Sequence, residues 1–352
     1  MGFPDVLTAR HEDRVSLSQT HLPTKRPVVV ILGMHRSGTS LVANFVHAIG
    51  VDLGNDLMPA NEWNAAGYWE SRKIWEAHEK ILKELNCDWH NPPLSLPANW
   101  WRKPAIQELK NGLLEFVRSE CKRTEKLWGF KDPRTAILLP LWREIFDELQ
   151  LKPLYILSVR HPGSVAASLA RRDRLGLANS QALWLKTYLD ALTQTRHNQV
   201  GVVDYDRWFG SGMEQARTVI ESLSPHQSIS EEQIADAVNQ TIHSGLRHHS
   251  SEHNERFLPI VERSYSLLKQ AAVDGKVPDE IWNLTETFEK TKDILSIWED
   301  LVAERDAIIT ERDQQMDWCK KKYRIYRKFL YYSYAVFLIL VIVYFASSFV
   351  LK

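Results

Sequence analysis

The run Val28-Val29-Val30-Ile31-Leu32-Gly33-Met34-His35-Arg36-Ser37-Gly38-Thr39-Ser40 carries the main architectural signal of the chain. Its apolar, largely β-branched first half suits a strand buried on both faces, the usual setting of a parallel sheet. Gly33 and Gly38 then bracket a short polar loop. Apolar residues resume at helical spacing, so that Ser37–Ile49 reads as a helix stopped by Gly50. A strand, a glycine-bracketed loop and a helix N-terminus in succession make a natural anion cradle, because the loop and helix present backbone N–H groups.

Three further apolar runs have the same character: Leu127–Phe130, Leu154–Val159 and Val200–Val203. Helical patterns separate them, one marked by Ile74, His78, Ile81, Leu82 and Leu85, and others over 104–123, 135–149, 163–174 and 180–197. Alternating strands and helices predict an α/β domain over 27–265, a P-loop-like parallel sheet flanked by helices. Each apolar run ends in a polar motif: His35-Arg36-Ser37-Gly38, Lys131-Asp132-Pro133-Arg134, Arg160-His161-Pro162 and Asp204-Tyr205-Asp206. Ligands of open α/β sheets bind beyond the carboxyl ends of the strands, so these four motifs are expected to share one crevice.

With 44 basic against 44 acidic residues the chain carries no global positive field, which argues against a nucleic-acid coat. An anion must therefore be held by local cations, and Arg36, Lys131, Arg134 and Arg160 are the candidates. The glycine spacing and Ser40 match a P-loop, but Thr39 stands where a nucleoside triphosphatase has its lysine. The loop suits a 5′-phosphate-type group without a metal. Arg160, with Ser168 eight residues later on the following helix, makes a second phosphate site. Two sites on two strand–helix turns imply phosphates at both ends of a nucleoside.

These motifs resemble those of the PAPS-dependent sulfotransferases. Arg36-Ser37-Gly38-Thr39-Ser40 is similar to the loop that holds the 5′-phosphosulfate in that family, and the segment from Arg160 through Pro162 to Ser168 is similar to its 3′-phosphate motif. The resemblance implies PAPS as co-substrate, bound by His35, Arg36, Ser37, Gly38, Thr39, Ser40, Arg160 and Ser168, with Tyr205 at the adenine. Gly245-Leu246-Arg247 is the candidate for the family's late basic-glycine loop, with Arg247 on the nucleotide. Gly67-Tyr68-Trp69-Glu70 and Trp128-Gly129-Phe130-Lys131 look most like the bacterial branch acting on saccharides or lipid-linked glycans. The expected reaction is transfer of a sulfuryl group to a hydroxyl or amine of such an acceptor, with Arg36 and Lys131 stabilising the transferring charge and Glu70 as base. A nucleotide-dependent kinase and a non-catalytic membrane scaffold are the competing readings. Eight of the 13 tryptophans lie between Trp63 and Trp142, and aromatic faces suit sugar rings. Asn99-Trp100-Trp101, in a proline-rich loop, is the expected exposed pair. His248, His249 and His253 have no regularly spaced acidic or cysteine partner, so no metal is expected.

The ends of the chain read differently. Residues 1–26 form a polar tail with no apolar core run. Residues 266–293 read as a helical linker. Leu295, Val302, Ile309, Met316 and Tyr323 are spaced by seven within 294–328, the pattern of a coiled coil that could join copies of the chain. Phe329–Leu351 has no charged residue over 23 positions. As a helix it is roughly 34 Å long, enough for a ~30 Å hydrocarbon core. With Lys320, Lys321, Lys322, Arg324, Arg327 and Lys328 before it, it is expected to be a transmembrane helix. That expectation makes the protein a single-pass protein of the inner membrane, its catalytic domain in the cytoplasm. Cys87, Cys121 and Cys319 are far apart and read as free thiols.

Overall fold

The computed structural model describes residues 25–61, 67–93, 95–223, 229–242, 257–292, 327–339 and 341–342. Four strands form one parallel sheet in the order β2-β1-β3-β4, with β1 Arg26–Leu32, β2 Trp128–Lys131, β3 Leu151–Val159 and β4 Val200–Asp204. The helices are α1 (Thr39–Ala48), α2 (Arg72–Glu84), α3 (Pro104–Arg123), α4 (Thr135–Glu148), α5 (Pro162–Asp173), α6 (Leu177–Thr195), α7 (Trp208–Leu223), α8 (Glu231–Thr241) and α9 (Pro259–Asp274). A further helix occupies 279–292.

Strands β1, β3 and β4 each feed two cores, whereas β2 gives Trp128 and Phe130 to one of them. Val28, Val30 and Leu32 of β1 join one cluster with residues of α2 to α6 and α9, including Trp142, Trp184 and Leu268. Val29 and Ile31 point the other way, onto Phe45 of α1, Val219 of α7 and Ile234 of α8. The period-two alternation places helices on both faces. The cores differ in what closes them: the first is dominated by stacked aromatic rings, with Phe130 and Trp142 at 4.2 Å between centroids. Helices α7 and α8 lie outside the helical patterns read from the sequence, and α9 begins ahead of the helical linker read over 266–293. α9 runs across residues 265 and 266, and Ile260 and Leu268, on either side, are buried in the same core.

Register decides what the strand ends bring together. Ile31 lies opposite Lys131, Leu32 opposite Leu157, and Val159 opposite Asp204. The chain leaves β1 toward β2 on one side and returns to β3 on the other. The β1–β3 junction is therefore the switch point, where parallel sheets open a crevice.

The C-terminal segment departs from the expectation. Among the described residues no helix is long and apolar enough to cross a membrane, and the single-pass inner-membrane assignment falls with it. The described part, 327–339 and 341–342, is helical but two-sided. Ala335, Leu338, Ile339 and Ile342 are buried, and the last three join the core cluster that contains Trp142 and Leu268. Phe329, Tyr332, Val336 and Phe337 face outward. The buried positions fall at helical spacing on one apolar stripe, and a stripe packs on a core. Hydropathy summed along the chain cannot separate that stripe from an all-round apolar span. The heptads of 294–328 lie outside the described residues, save 327–328 at the start of this helix.

This packing predicts a measurable asymmetry. Leu338→Ala should destabilise the full chain by about 2–5 kcal/mol in urea or thermal unfolding, as core truncations do. Phe329→Ser, on the exposed side, should stay within about 0.5 kcal/mol of wild type. Equal midpoints for the two variants would show that this helix takes no part in the core.

Candidate functional site

The glycine-bracketed loop lies against the end of β3 and the turn after β4. Gly33 has φ +143° and Gly38 φ +86°, and a Cβ at either would collide with its neighbours. At Gly33 it would stand 2.6 Å from the Ser158 carbonyl, and at Gly38 2.2 Å from Cδ2 of Tyr205. Gly38 caps α1 in the left-handed conformation, and the first N–H groups of any helix lack intrahelical acceptors. Ser37 is turned inward: its hydroxyl lies 2.9 Å from the Tyr188 hydroxyl, and its carbonyl accepts from Ser158 Oγ at 2.8 Å. Tyr188 is also 2.9 Å from the Ser158 carbonyl. Since a carbonyl only accepts, Tyr188 donates there and takes its other bond from Ser37. Ser37 therefore anchors the loop to the core instead of facing the crevice. Thr39 is buried as well.

The loop meets the motif after β3 directly. Arg36, itself at φ +68°, donates from Nε to Ser168 Oγ at 2.8 Å, and Arg160 Nη1 donates to the Arg36 carbonyl at 3.2 Å. The Arg160 guanidinium stacks 4.2 Å over the Tyr205 ring. Tyr205 thus sits as a plate between Gly38 and Arg160, held by its own N–H donating to the Val159 carbonyl at 2.7 Å. Arg160 Nε is buried and has no hydrogen-bond partner among the described residues. A buried charged donor with no acceptor is costly, and it marks a place where an anion would be stabilised. His161 beside it has a structural role, because its Nδ1 accepts from the Gly163 N–H at 3.1 Å and caps α5.

On the β2 side the chain bends at Gly67 and Trp69, both with positive φ, and Ser71 caps α2 by accepting from the Ile74 N–H. This aims Glu70 and the Tyr68 carbonyl at Lys131. Lys131 Nζ lies 2.7 Å from Glu70 Oε1, 2.8 Å from the Tyr68 carbonyl and 3.2 Å from Ser40 Oγ. Both side chains are almost wholly buried. Glu70 Oε2 is 3.8 Å from Arg134 Nη1. Arg134 also donates from Nε to Glu79 at 2.5 Å and from Nη1 to Asp132 at 3.0 Å. Asp132 reaches His78 Nδ1 at 3.3 Å, and His78 Nε2 accepts from Trp142 Nε1 at 2.9 Å. Burial raises the Glu70 pKa above the ordinary carboxylate value, even though Lys131 pulls it down. Burial would raise Asp132 too, but Arg134 and His78 outweigh it and hold Asp132 well below that range. Asp132 is therefore a fixed counterion, whereas Glu70 retains proton affinity.

The fold reassigns several residues. Arg134, expected at the ligand, is engaged by Glu79, Asp132 and Glu70. His35 is turned from the loop onto Trp89, 3.9 Å between centroids, and burial with Arg134 and Arg172 lowers its pKa well below the usual value. Trp100 is buried instead of exposed, and Trp101 donates to Glu144 at 2.7 Å. Arg247 and His248, His249 and His253 lie outside the described residues. Among the described residues no three His, Cys, Asp or Glu side chains converge to hold a metal. Sequence patterns alone do not pick out His78 and Tyr188 as supports of the site. Both occupy apolar-face positions of their helices, and their only sequence signal is a polar atom on that face.

No family model matches the chain, and no curated protein matches it. Among solved structures, the chain is similar to the sulfotransferase domain of the Synechococcus PCC 7002 olefin synthase, at 16% identity and a TM-score of 0.37, over 76% of this chain and 95% of that one.

The Gly38–Tyr205 contact is testable by a double-mutant cycle. Gly38→Ala should cost about 1–2 kcal/mol from the left-handed backbone and a further loss from displacing Tyr205. Adding Tyr205→Ala should recover the second part only. Additive losses in urea unfolding would mean that the ring does not pack on the loop.

Proposed function

We propose that the protein transfers a sulfuryl group from PAPS to a hydroxyl or amine of a saccharide or glycolipid acceptor, releasing 3′,5′-ADP. The observation that carries this reading is the junction of the two phosphate motifs. Arg36 and Ser168, 132 positions apart, are hydrogen-bonded, and Arg160 bridges to the Arg36 carbonyl. The α1 N-terminus would take the 5′-phosphosulfate, and Arg160 with Ser168 the 3′-phosphate. The unpartnered Nε of Arg160 and the glycine-only cradle at Gly38 fit such a dianion.

In that reading, the lysine missing from the loop at Thr39 is supplied from β2. Lys131 stands beside Ser40, where it neutralises charge developing on the bridging oxygen as the nucleotide leaves. Glu70 Oε1 is held by Lys131 at 2.7 Å, and Oε2, at the longer distance of 3.8 Å from Arg134, is the oxygen that would accept the acceptor proton. The raised pKa of Glu70 gives it the proton affinity that a base needs. Buried charges held by neighbours on three sides need little reorganisation during transfer.

The cation beside Ser40 also suits a kinase, so ligand choice separates the two. In thermal melts, 3′,5′-ADP should stabilise the protein, whereas ATP with Mg²⁺ should not; the reverse result would favour phosphoryl transfer, and no shift with either ligand would favour a scaffold. Arg160→Ala should weaken 3′,5′-ADP by roughly 30–150-fold, from the ~2–3 kcal/mol of a charge-assisted contact. Unchanged affinity would remove Arg160 from the site.

Glu70→Gln should leave 3′,5′-ADP affinity within about threefold while lowering turnover by roughly 10²–10⁴-fold. The wild-type rate should fall as pH drops through the raised Glu70 pKa, because only the carboxylate accepts a proton. Its acid limb should lie above that of an ordinary carboxylate, and should vanish in Glu70→Gln. A variant that keeps more than about a tenth of wild-type turnover would show that Glu70 is not the base.

A further inference from the structure

Five large apolar side chains are exposed among the described residues, and four of them stand on one helix: Phe329, Tyr332, Val336 and Phe337. The fifth, Val273, is on α9. Phe329, Tyr332 and Val336 are spaced by three and four residues, so they form one stripe of the helix that begins at 327, with Phe337 beside it. Ala335, Leu338, Ile339 and Ile342 form the opposite stripe and are buried. The helix is thus seated on the core by one side and apolar on the other as well. Neighbouring apolar groups turned to water mark a docking surface.

Charge says what covers it. Lys320, Lys321, Lys322, Arg324, Arg327 and Lys328 lead into this stripe, and no acidic residue follows Asp317. Arg327 and Lys328, at the start of the described helix, are both exposed. The folded domain adds cations of its own. A Cβ on Gly176 would stand 2.8 Å from the Tyr332 hydroxyl, so the helix passes the turn between α5 and α6. Arg171 in the last turn of α5 and Arg174 just after it are exposed there. The one carboxylate among them, Asp173, accepts from Arg172 at 2.7 Å.

A second copy of the chain would set its own basic run against this one, and like charges at that density repel. An anionic lipid surface attracts them, and its headgroup region also takes the apolar face of an amphipathic helix. Tyr332 suits that depth, with an apolar ring and a polar tip.

We infer that this helix lies in the plane of an anionic lipid surface, with Phe329, Tyr332, Val336 and Phe337 among the headgroups and Arg327 and Lys328 on lipid phosphates. It does not cross the bilayer, because Leu338, Ile339 and Ile342 of its other stripe belong to the domain core. Docking of this kind is independent of the transferase reading: it concerns where the chain rests, whatever group it transfers.

The test is flotation of the full chain with two kinds of vesicle, pure phosphatidylcholine and phosphatidylcholine with about 30 mol% phosphatidylglycerol. The wild type should float with the second and bind the first at least about tenfold more weakly. Raised salt should weaken binding to the anionic vesicles. Phe329→Ser with Val336→Ser should weaken it by about 10–100-fold, since two large apolar side chains no longer enter the surface. Arg327→Gln with Lys328→Gln should weaken it by about 10–30-fold and leave binding to neutral vesicles unchanged. All four positions are exposed, so both double variants should keep the wild-type unfolding midpoint, which assigns the loss to docking. Equal flotation with both vesicle types, or wild-type flotation of the Phe329→Ser, Val336→Ser chain, would overturn the inference. So would retention on the vesicles in alkaline carbonate, which strips helices that lie on a surface and leaves those that cross it. A dimer in sedimentation that the Phe329→Ser, Val336→Ser chain no longer forms, with no flotation of the wild type, would give this face to a second copy and reject the lipid surface.

Discussion

The parallel ladder that sets Ile31 opposite Lys131, Leu32 opposite Leu157 and Val159 opposite Asp204 constrains both the crevice and the cores. Parallel register brings the strand ends to one edge, so that every strand–helix turn opens the same way. With β1 central between β2 and β3, its loop has the turn after β2 on one side and the turn after β3 on the other. Arg36 therefore reaches Ser168, and Lys131 reaches Ser40. A one-residue slip would reverse the faces of Val28 through Leu32 and unpair both cores. The crevice and the hydrophobic packing are thus specified by the same pairing.

The glycines at 33 and 38 follow from that closeness. The loop passes within van der Waals range of the Ser158 carbonyl and the Tyr205 ring, and only residues without a Cβ fit. Tyr188 ties the Ser37 hydroxyl to the Ser158 carbonyl and so braces the loop from the core side. Contacts made within the chain thus fix the backbone N–H groups at the α1 N-terminus.

Beside that rigid loop stands a chain of buried polar side chains: the charges of Lys131, Glu70, Arg134 and Asp132, then the His78 imidazole, closed by the indole of Trp142. Each charge has an opposite partner, which offsets its desolvation. The members differ in what burial does to them. Asp132 touches two cationic or donor groups and stays ionised, whereas Glu70 has its main partner on one oxygen only and is pushed upward. The neighbours of two similar carboxylates divide them into a fixed counterion and a group able to take a proton.

The strands are legible in the order of residues alone, because runs such as Val28–Leu32 satisfy both faces of a sheet in any context. So are the places where the glycines of the loop after β1 and the arginines of that loop and of the turn after β3 fall. The partner that each polar side chain meets is not. Ser37 and Tyr205 read as ligand groups, but Ser37 bonds to Tyr188 and Tyr205 is packed between Gly38 and Arg160. Trp100, in a loop that reads as exposed, is buried. The apolar segment after Phe329 likewise reads as a membrane span by its length, yet Leu338, Ile339 and Ile342 of its described part lie in the core. Backbone geometry and apolar periodicity are local quantities, written in neighbouring residues. The partner of a hydroxyl, a guanidinium or an apolar stripe is set by contacts with residues far away in the chain, and only folding brings those together.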